Sequence, residues 1–292
     1  MIVILLAAIA AIGWGAADYF GGDASRADTP VFVIVAVTEL LGTLVVVPVL
    51  LARGTPPPDN PRLLFSVLAG VAVTVELGLI YRAISHGNAF VTAPVGALGA
   101  AVAAAVGLVG GDPLSITVAA GLVLAIVGGG ASAWVPPATG SSTTGQPGGK
   151  SWQTAATCVA AAVAVAVMLS SLHAAGQADP YWATGIEHLS TTVSAGIAAL
   201  IGTRGRLRRR LPGPAELPKL GLVALLGAGG DLAYATASGS GALTVVSAVS
   251  SLYPIPTIAL GVLLAGQRAT RTQSFGIALA LAGAVILGTV SH

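Results

Sequence analysis

Four carboxylates stand inside long apolar stretches of this chain: Glu39, Glu76, Glu187 and Asp231. Glu39 and Glu187 lie somewhat less than halfway along their stretches and Glu76 and Asp231 about two thirds of the way, so none reaches a polar edge easily. An ionised carboxylate at the centre of a membrane-spanning helix costs about 3 kcal/mol even on insertion-based scales, and four together would be expensive. They must face a wet cavity, pair with cations or hold protons, and each option suits a site for cations or protons. For any single acid, a hydrogen bond bridging two helices is the structural alternative.

The remaining polar and aromatic groups sort around these four. Asp18 is nearer the end of its stretch, where it either serves the site or bridges to Arg26. His188 adjoins Glu187, and about 100° of helical rotation is expected to keep the two side chains from pointing at one spot, which leaves His188 as a proton relay to another helix or a packing histidine. His173 falls near the end of a stretch. Lys219 and Arg82 lie only at the ends of their stretches, so the buried charge favours cations, zwitterions or protons over anions. Trp14, Tyr81, Trp182, Tyr234 and Tyr253 can offer aromatic faces to an ammonium group or anchor the interfaces. Pro94, and Pro254 with Pro256, each free a backbone carbonyl and mark places where a helix can bend or gate.

Ten elements must position these groups. The apolar stretches run over about 2–20, 30–52, 63–83, 88–109, 115–134, 153–175, 180–202, 217–237, 242–265 and 272–290, each near the ~20 residues a helix needs to cross a bilayer. Charged residues are 8% and apolar residues 55% of the 292, against roughly 25% charged in an ordinary soluble domain. The stretches lack the alternation of barrel strands, so helices are expected. The first has no basic lead-in and reads as a retained helix rather than a signal peptide.

The polar segment 136–151, rich in Gly, Ser and Thr, divides the stretches five and five, giving a first repeat over 1–135 and a second over 152–292. Tyr81, Ala83 and Ser85 end the third stretch as Tyr234, Thr236 and Ser238 end the eighth, and Gly121 with Gly128 is echoed by Gly276 with Gly283. Glu39 and Glu187, and Glu76 and Asp231, fall on corresponding stretches of the two halves. Five is odd, so the second copy enters the membrane inverted. The expected fold is therefore an all-α integral membrane protein of ten transmembrane helices in two inverted five-helix repeats. Eleven of the thirteen Lys and Arg residues, including Arg204, Arg206, Arg208, Arg209 and Arg210, flank odd-numbered connections, and only Arg53 and Arg62 flank an even one. By the positive-inside rule this places both termini outside.

Several function classes are disfavoured. Cys158 is the only cysteine, so neither a disulfide framework nor a thiolate metal cluster is expected. Gly145 to Ser151 only loosely resembles a phosphate loop, with three residues between its glycines and no preceding strand. The arginine run reads as a topology signal rather than a nucleic-acid surface. No clustered nucleophile or metal set points to an intramembrane enzyme, and no cofactor is expected.

Trp14-Gly15, Tyr81-Arg82-Ala83-Ile84-Ser85 leading to Ala89, and Ser250-Ser251-Leu252-Tyr253-Pro254 followed by Gly266-Gln267-Arg268 carry a resemblance over the whole chain. In these residues it resembles the EamA-type members of the drug/metabolite transporter superfamily. It departs from their pattern at Gln267, where glutamate is usual, at Gly111-Asp112 and at Gly99, which stands in the place of a proline. The resemblance implies a carrier that works without ATP hydrolysis around a central cavity built by helices one to four and six to nine. Members carry amino acids, amines, other metabolites, drugs or nucleotide sugars, so no substrate is selected. The simplest members have cytoplasmic termini, opposite to the charge distribution.

The expectation is a secondary transporter, or facilitator, of a small cationic or zwitterionic organic solute, with protons as coupling ion. Its setting would be the bacterial inner membrane. Glu39, Glu76, Glu187 and Asp231 would bind solute or protons, and Trp14, Asp18, Tyr81, Tyr234 and Tyr253 would line the cavity. A lipid or lipid-linked-sugar flippase is the alternative on the same fold. The glycine-rich fifth and tenth stretches could pack within one chain or form a homodimer face.

Overall fold

The computed structural model describes residues 1–24, 29–85, 92–132, 151–204, 211–265 and 271–290. Arg26, Lys150, Arg206, Arg208, Arg209, Arg210, Gln267, Arg268 and the linker up to Lys150 lie outside the described residues, as do the side chains of Arg82, Pro94 and Cys158. Among the described residues all regular structure is helical.

The helices are α1 (Ile2–Ala24), α2 (Val31–Arg53), α3 (Leu64–Ser85), α4 (Thr92–Val109), α5 (Ile116–Ser132), α6 (Ser151–Gly176), α7 (Pro180–Gly202), α8 (Leu217–Ser238), α9 (Leu243–Ser250), α10 (Pro254–Ala265) and α11 (Arg271–Val290). A short 3-10 turn, Pro61–Leu63, precedes α3. Six segments are long and apolar enough to cross a membrane: Ile2–Gly22, Val31–Arg53, Pro61–Tyr81, Val159–Gly176, Leu217–Ser238 and Leu243–Leu264. Shorter apolar runs lie in α4, α5 and α11.

Exposed apolar side chains form lipid-facing stripes along these helices. On α3 the stripe is Leu64, Leu68, Val71 and Val75. In water such surface would drive aggregation, and in a bilayer it is matched by hydrocarbon.

Helix α7 is long enough to span but less apolar, and the reason lies in its two faces. Leu189, Val193 and Ile197 recur every four residues on the exposed side. Thr184, Glu187, His188 and Thr191 are buried on the other. The polar face therefore points into the protein, which is where α7 delivers its chemistry.

The ninth expected stretch is two helices. Residues 251–253 form a turn between α9 and α10, and Pro254 occupies the first position of α10, where a missing N–H breaks no intrahelical bond. Asp112, in the connection after α4, caps α9 from a distance in sequence: its Oδ2 accepts from the Thr244 N–H at 2.8 Å and from Thr244 Oγ1 at 2.7 Å. Pro94 lies in the first turn of α4, so the helix runs on from it without a central kink.

The packing repeats when the halves are exchanged. Helix α1 packs along α8 as α6 packs along α3; α3 meets α7 as α8 meets α2; α4 lies on α6 as α9 and α10 lie on α1. Two pairings, α2 with α7 and α5 with α11, map onto themselves. The glycines of α5 and α11 serve this last pairing within the chain. A side chain at Gly121 would strike Leu287, one at Gly128 would strike the Ala280 backbone, and one at Gly283 the Ala125 backbone.

Candidate functional site

Helices α2, α7 and α8 bring one imidazole among three carboxylates. His188 Nδ1 lies 2.5 Å from Glu39 Oε2. With Glu39 ionised, its oxygen accepts and Nδ1 carries the proton of this bond. On the other side of the ring, Nε2 lies 3.3 Å from Asp231 Oδ2 and 3.8 Å from Glu187 Oε2. Gly42, one turn after Glu39, makes room for the ring, since a Cβ there would lie 2.9 Å from His188 Nδ1. Gly230 does the same for Trp14, whose Nε1 donates to Asp231 Oδ1 at 2.8 Å. Thr191 Oγ1 donates to Glu187 Oε1 at 2.9 Å and turns that carboxylate along its own helix.

This cluster adjoins a central cavity of about 70 Å³. At about 10–15 Å³ per water it has room for a handful of water molecules. Helices α1, α2, α3 and α8 contribute Trp14, Asp18, Glu39, Glu76, Tyr81 and Asp231 to its wall. Val165, Met168 and Leu169 of α6 close it from the second half, with Ser251 and Tyr253 from the break between α9 and α10. No lysine or arginine lines it among the described residues.

A family model for the EamA-like transporter family matches residues 1–130 and again 150–289. The chain belongs to the EamA-like transporter family. It is thus a multi-pass integral membrane transporter of the drug/metabolite type and not an enzyme. A solved chain described only as a protein crystal structure shares its fold, with a TM-score of 0.73 at 15% identity over 99% of this chain and 97% of that one. A search of curated proteins finds no match.

In this EamA-like transporter the residues singled out by sequence fall into two layers. Trp14, Asp18, Glu39, Glu76, Tyr81, Asp231 and Tyr253 reach the cavity. Tyr253 is 6% exposed, and its hydroxyl has no hydrogen-bond partner among the described residues. Glu187 and Tyr234 stand behind the wall. Tyr234 is fully buried, donates from its hydroxyl to Leu169 O at 2.8 Å, and supports Trp14 through a tilted ring contact of 5.4 Å. Helices α4 and α7, expected at the cavity, supply none of its lining among the described residues.

The expectation that Glu187 and His188 cannot approach one spot is corrected. Their Cα–Cβ directions diverge, but the length of both side chains and the Thr191 bond bring Oε2 and Nε2 to 3.8 Å. His188, read from sequence as a relay to another helix or a packing histidine, contacts three of the four acids. The signal available was Gly42 in the register of Glu39, a small residue where a ring from another helix could enter.

A second ionic contact ties α2 to α7 at the end of the bundle. Arg53 Nη1 and Nη2 each donate to Asp179 at 3.1 Å, and the guanidinium sits 4.0 Å from the Tyr181 ring centroid. Asp179 also caps α7 by accepting from the N–H groups of Tyr181 and Trp182. Partial burial pushes the Asp179 carboxyl up, but the Arg53 hydrogen bond and charge and the two backbone N–H bonds outweigh it and hold it below the usual carboxylate range. Near it, Trp182 Nε1 donates to Thr55 O at 3.1 Å, and Arg62 donates to Gln177 at 2.8 Å.

Proposed function

We propose that this transporter carries a small cationic or zwitterionic organic solute, such as an amino acid, amine or drug, by proton-coupled alternating access. The observation that carries this reading is the charge of the central cavity: Asp18, Glu39, Glu76 and Asp231 line it with no lysine or arginine among the described lining residues. A cavity of one sign with low-dielectric walls concentrates the opposite charge. Trp14, Tyr81 and Tyr253 beside those acids offer ring faces to an ammonium group.

The reading has ten crossings in two inverted repeats, 1–135 and 152–292, joined by a linker over 136–151, in a bacterial inner membrane with the termini outside. The exchange symmetry of helix packing supports the duplication. Ligand pockets commonly enclose about 300–1,000 Å³. At about 70 Å³ the cavity is contracted, so solute enters as one repeat rocks against the other. The break before Pro254 leaves α10 free to tilt against α9 during that motion. Protons would ride on Glu39, Glu76, Glu187 and Asp231, with His188 passing charge between three of them.

The test is uptake into proteoliposomes under an imposed pH gradient, using labelled amines and amino acids. Wild type should concentrate at least one of them, and the quadruple variant Glu39→Gln, Glu76→Gln, Glu187→Gln, Asp231→Asn should lose gradient-driven uptake by 10-fold or more. Unchanged uptake and unchanged pH dependence in the folded variant would refute the reading.

A further inference from the structure

We propose that Glu187, His188 and Asp231 form a site for a divalent transition-metal ion of the zinc type, set between α7 and α8 beside the cavity. One ligand atom from each of the three lies within 4.8 Å of the others. A cluster of acids alone would not suffice, and here two further observations point to a ligand.

The first is unsatisfied polarity. Glu187 is 0% and His188 1% exposed, yet Glu187 Oε2 and His188 Nε2 have no hydrogen-bond partner. Buried polar atoms are nearly always paired, and two orphans facing each other at 3.8 Å mark a place built for a third body. Nε2 also lies 3.3 Å from Asp231 Oδ2, an ion-pair contact when the ring is protonated; with the ring neutral, its lone pair and that carboxylate face a common point.

The second is the way the far end of each side chain is held. Glu39 accepts from His188 Nδ1, Thr191 donates to Glu187 Oε1, and Trp14 donates to Asp231 Oδ1. A carboxylate on one imidazole nitrogen fixes the tautomer that leaves a lone pair on the other, the arrangement by which proteins prepare a histidine for metal. All three ligands are thus fixed from behind, and their free atoms converge.

The dimensions and chemistry agree. Zinc lies about 2.0–2.2 Å from nitrogen or oxygen ligands in a tetrahedron, which sets neighbouring ligand atoms about 3.3–3.6 Å apart. Nε2 lies 3.3 Å from Asp231 Oδ2 and 3.8 Å from Glu187 Oε2, near that spacing, and all three ligand atoms lie within 4.8 Å of one another, so the carboxylates would draw in slightly around a bound ion. Two carboxylates neutralise a dication, and an imidazole with few ligands suits a first-row transition ion better than calcium, which takes six to eight oxygens. Asp231 lines the cavity, so the cluster borders it. The site shares Asp231, Glu187 and His188 with the solute and proton roles assigned above, but it stands whether or not the solute is a cation.

The test is equilibrium dialysis of the full-length, tag-free protein in detergent against Zn2+, with Co2+ absorption reporting coordination, and with no transported solute present. One ion per chain is expected, with a visible tetrahedral Co2+ spectrum. His188→Gln and Glu187→Gln should each weaken binding at least 10-fold. Thr191→Val keeps all three ligands and loosens only Glu187, so it should weaken binding roughly 10-fold while the protein remains folded. Absence of saturable binding in wild type would overturn the proposal, as would binding left unchanged by His188→Gln and Thr191→Val. Neither result depends on uptake, so the metal site and the transport reading fail separately.

Discussion

At the scale of single residues, the four acids were legible because a carboxylate in an apolar run has few inexpensive places to go. Trp14 and Asp231 show how the fold accommodates one of them. The indole N–H satisfies one carboxylate oxygen across 217 residues of sequence, and Gly230 leaves the indole its space. Trp14→Phe keeps the ring against Tyr234 and deletes that donor, so it should lower stability by about 1 kcal/mol, near the ~0.6–1.7 kcal/mol found for hydrogen bonds between membrane helices. Denaturant titration in mixed micelles reads this directly. What sequence did not reveal was the hub at His188, because helical rotation predicts where Cβ points and not where a long side chain ends. Glu187 reaches the imidazole only because Thr191 directs it there.

At the scale of elements, α7 and the helix break carry the lesson. The polar residues of α7 reduce its apolarity as a span, and its i, i+4 stripe of Leu189, Val193 and Ile197 restores a lipid face. Proline chemistry leads to an expected bend within one helix at Pro254, whereas the structure starts a new helix there. The cap that Asp112 gives to α9 was not legible, since it acts across 132 positions through tertiary packing. The α2–α7 latch offers a test of sign. Asp179 is held below its ordinary range in the folded state, so its contribution is fully present above the unfolded value of about 3.9 and is lost as pH falls through the lower folded value. The melting temperature of wild type should therefore drop on acidification below about pH 4, and Arg53→Ala should be less stable at neutral pH with a shallower acid drop. An acid profile identical in both proteins would remove the latch from the account.

At the scale of the whole molecule, the two halves meet through exchange-related pairings, and in α5 with α11 glycines bring the two backbones together. The repeat was legible from matched Tyr and Gly positions. Which surface the glycines face was not, because close backbone approach serves a neighbour within the chain as well as a second copy. Gly128→Leu forces a side chain into the Ala280 backbone and should cost about 1–3 kcal/mol, seen as lower folded yield and an earlier melting transition. The central claim belongs to this scale as well: two related halves enclose one acidic cavity that binds positive charge. A ligand that binds only the folded state raises its apparent stability. The direct measurement is thermal stability of the purified transporter against amines, amino acids, organic anions and lipids. The account predicts stabilisation by an amine or amino acid that is lost in Glu76→Gln or Asp231→Asn, and stabilisation by anions or lipids alone would contradict it.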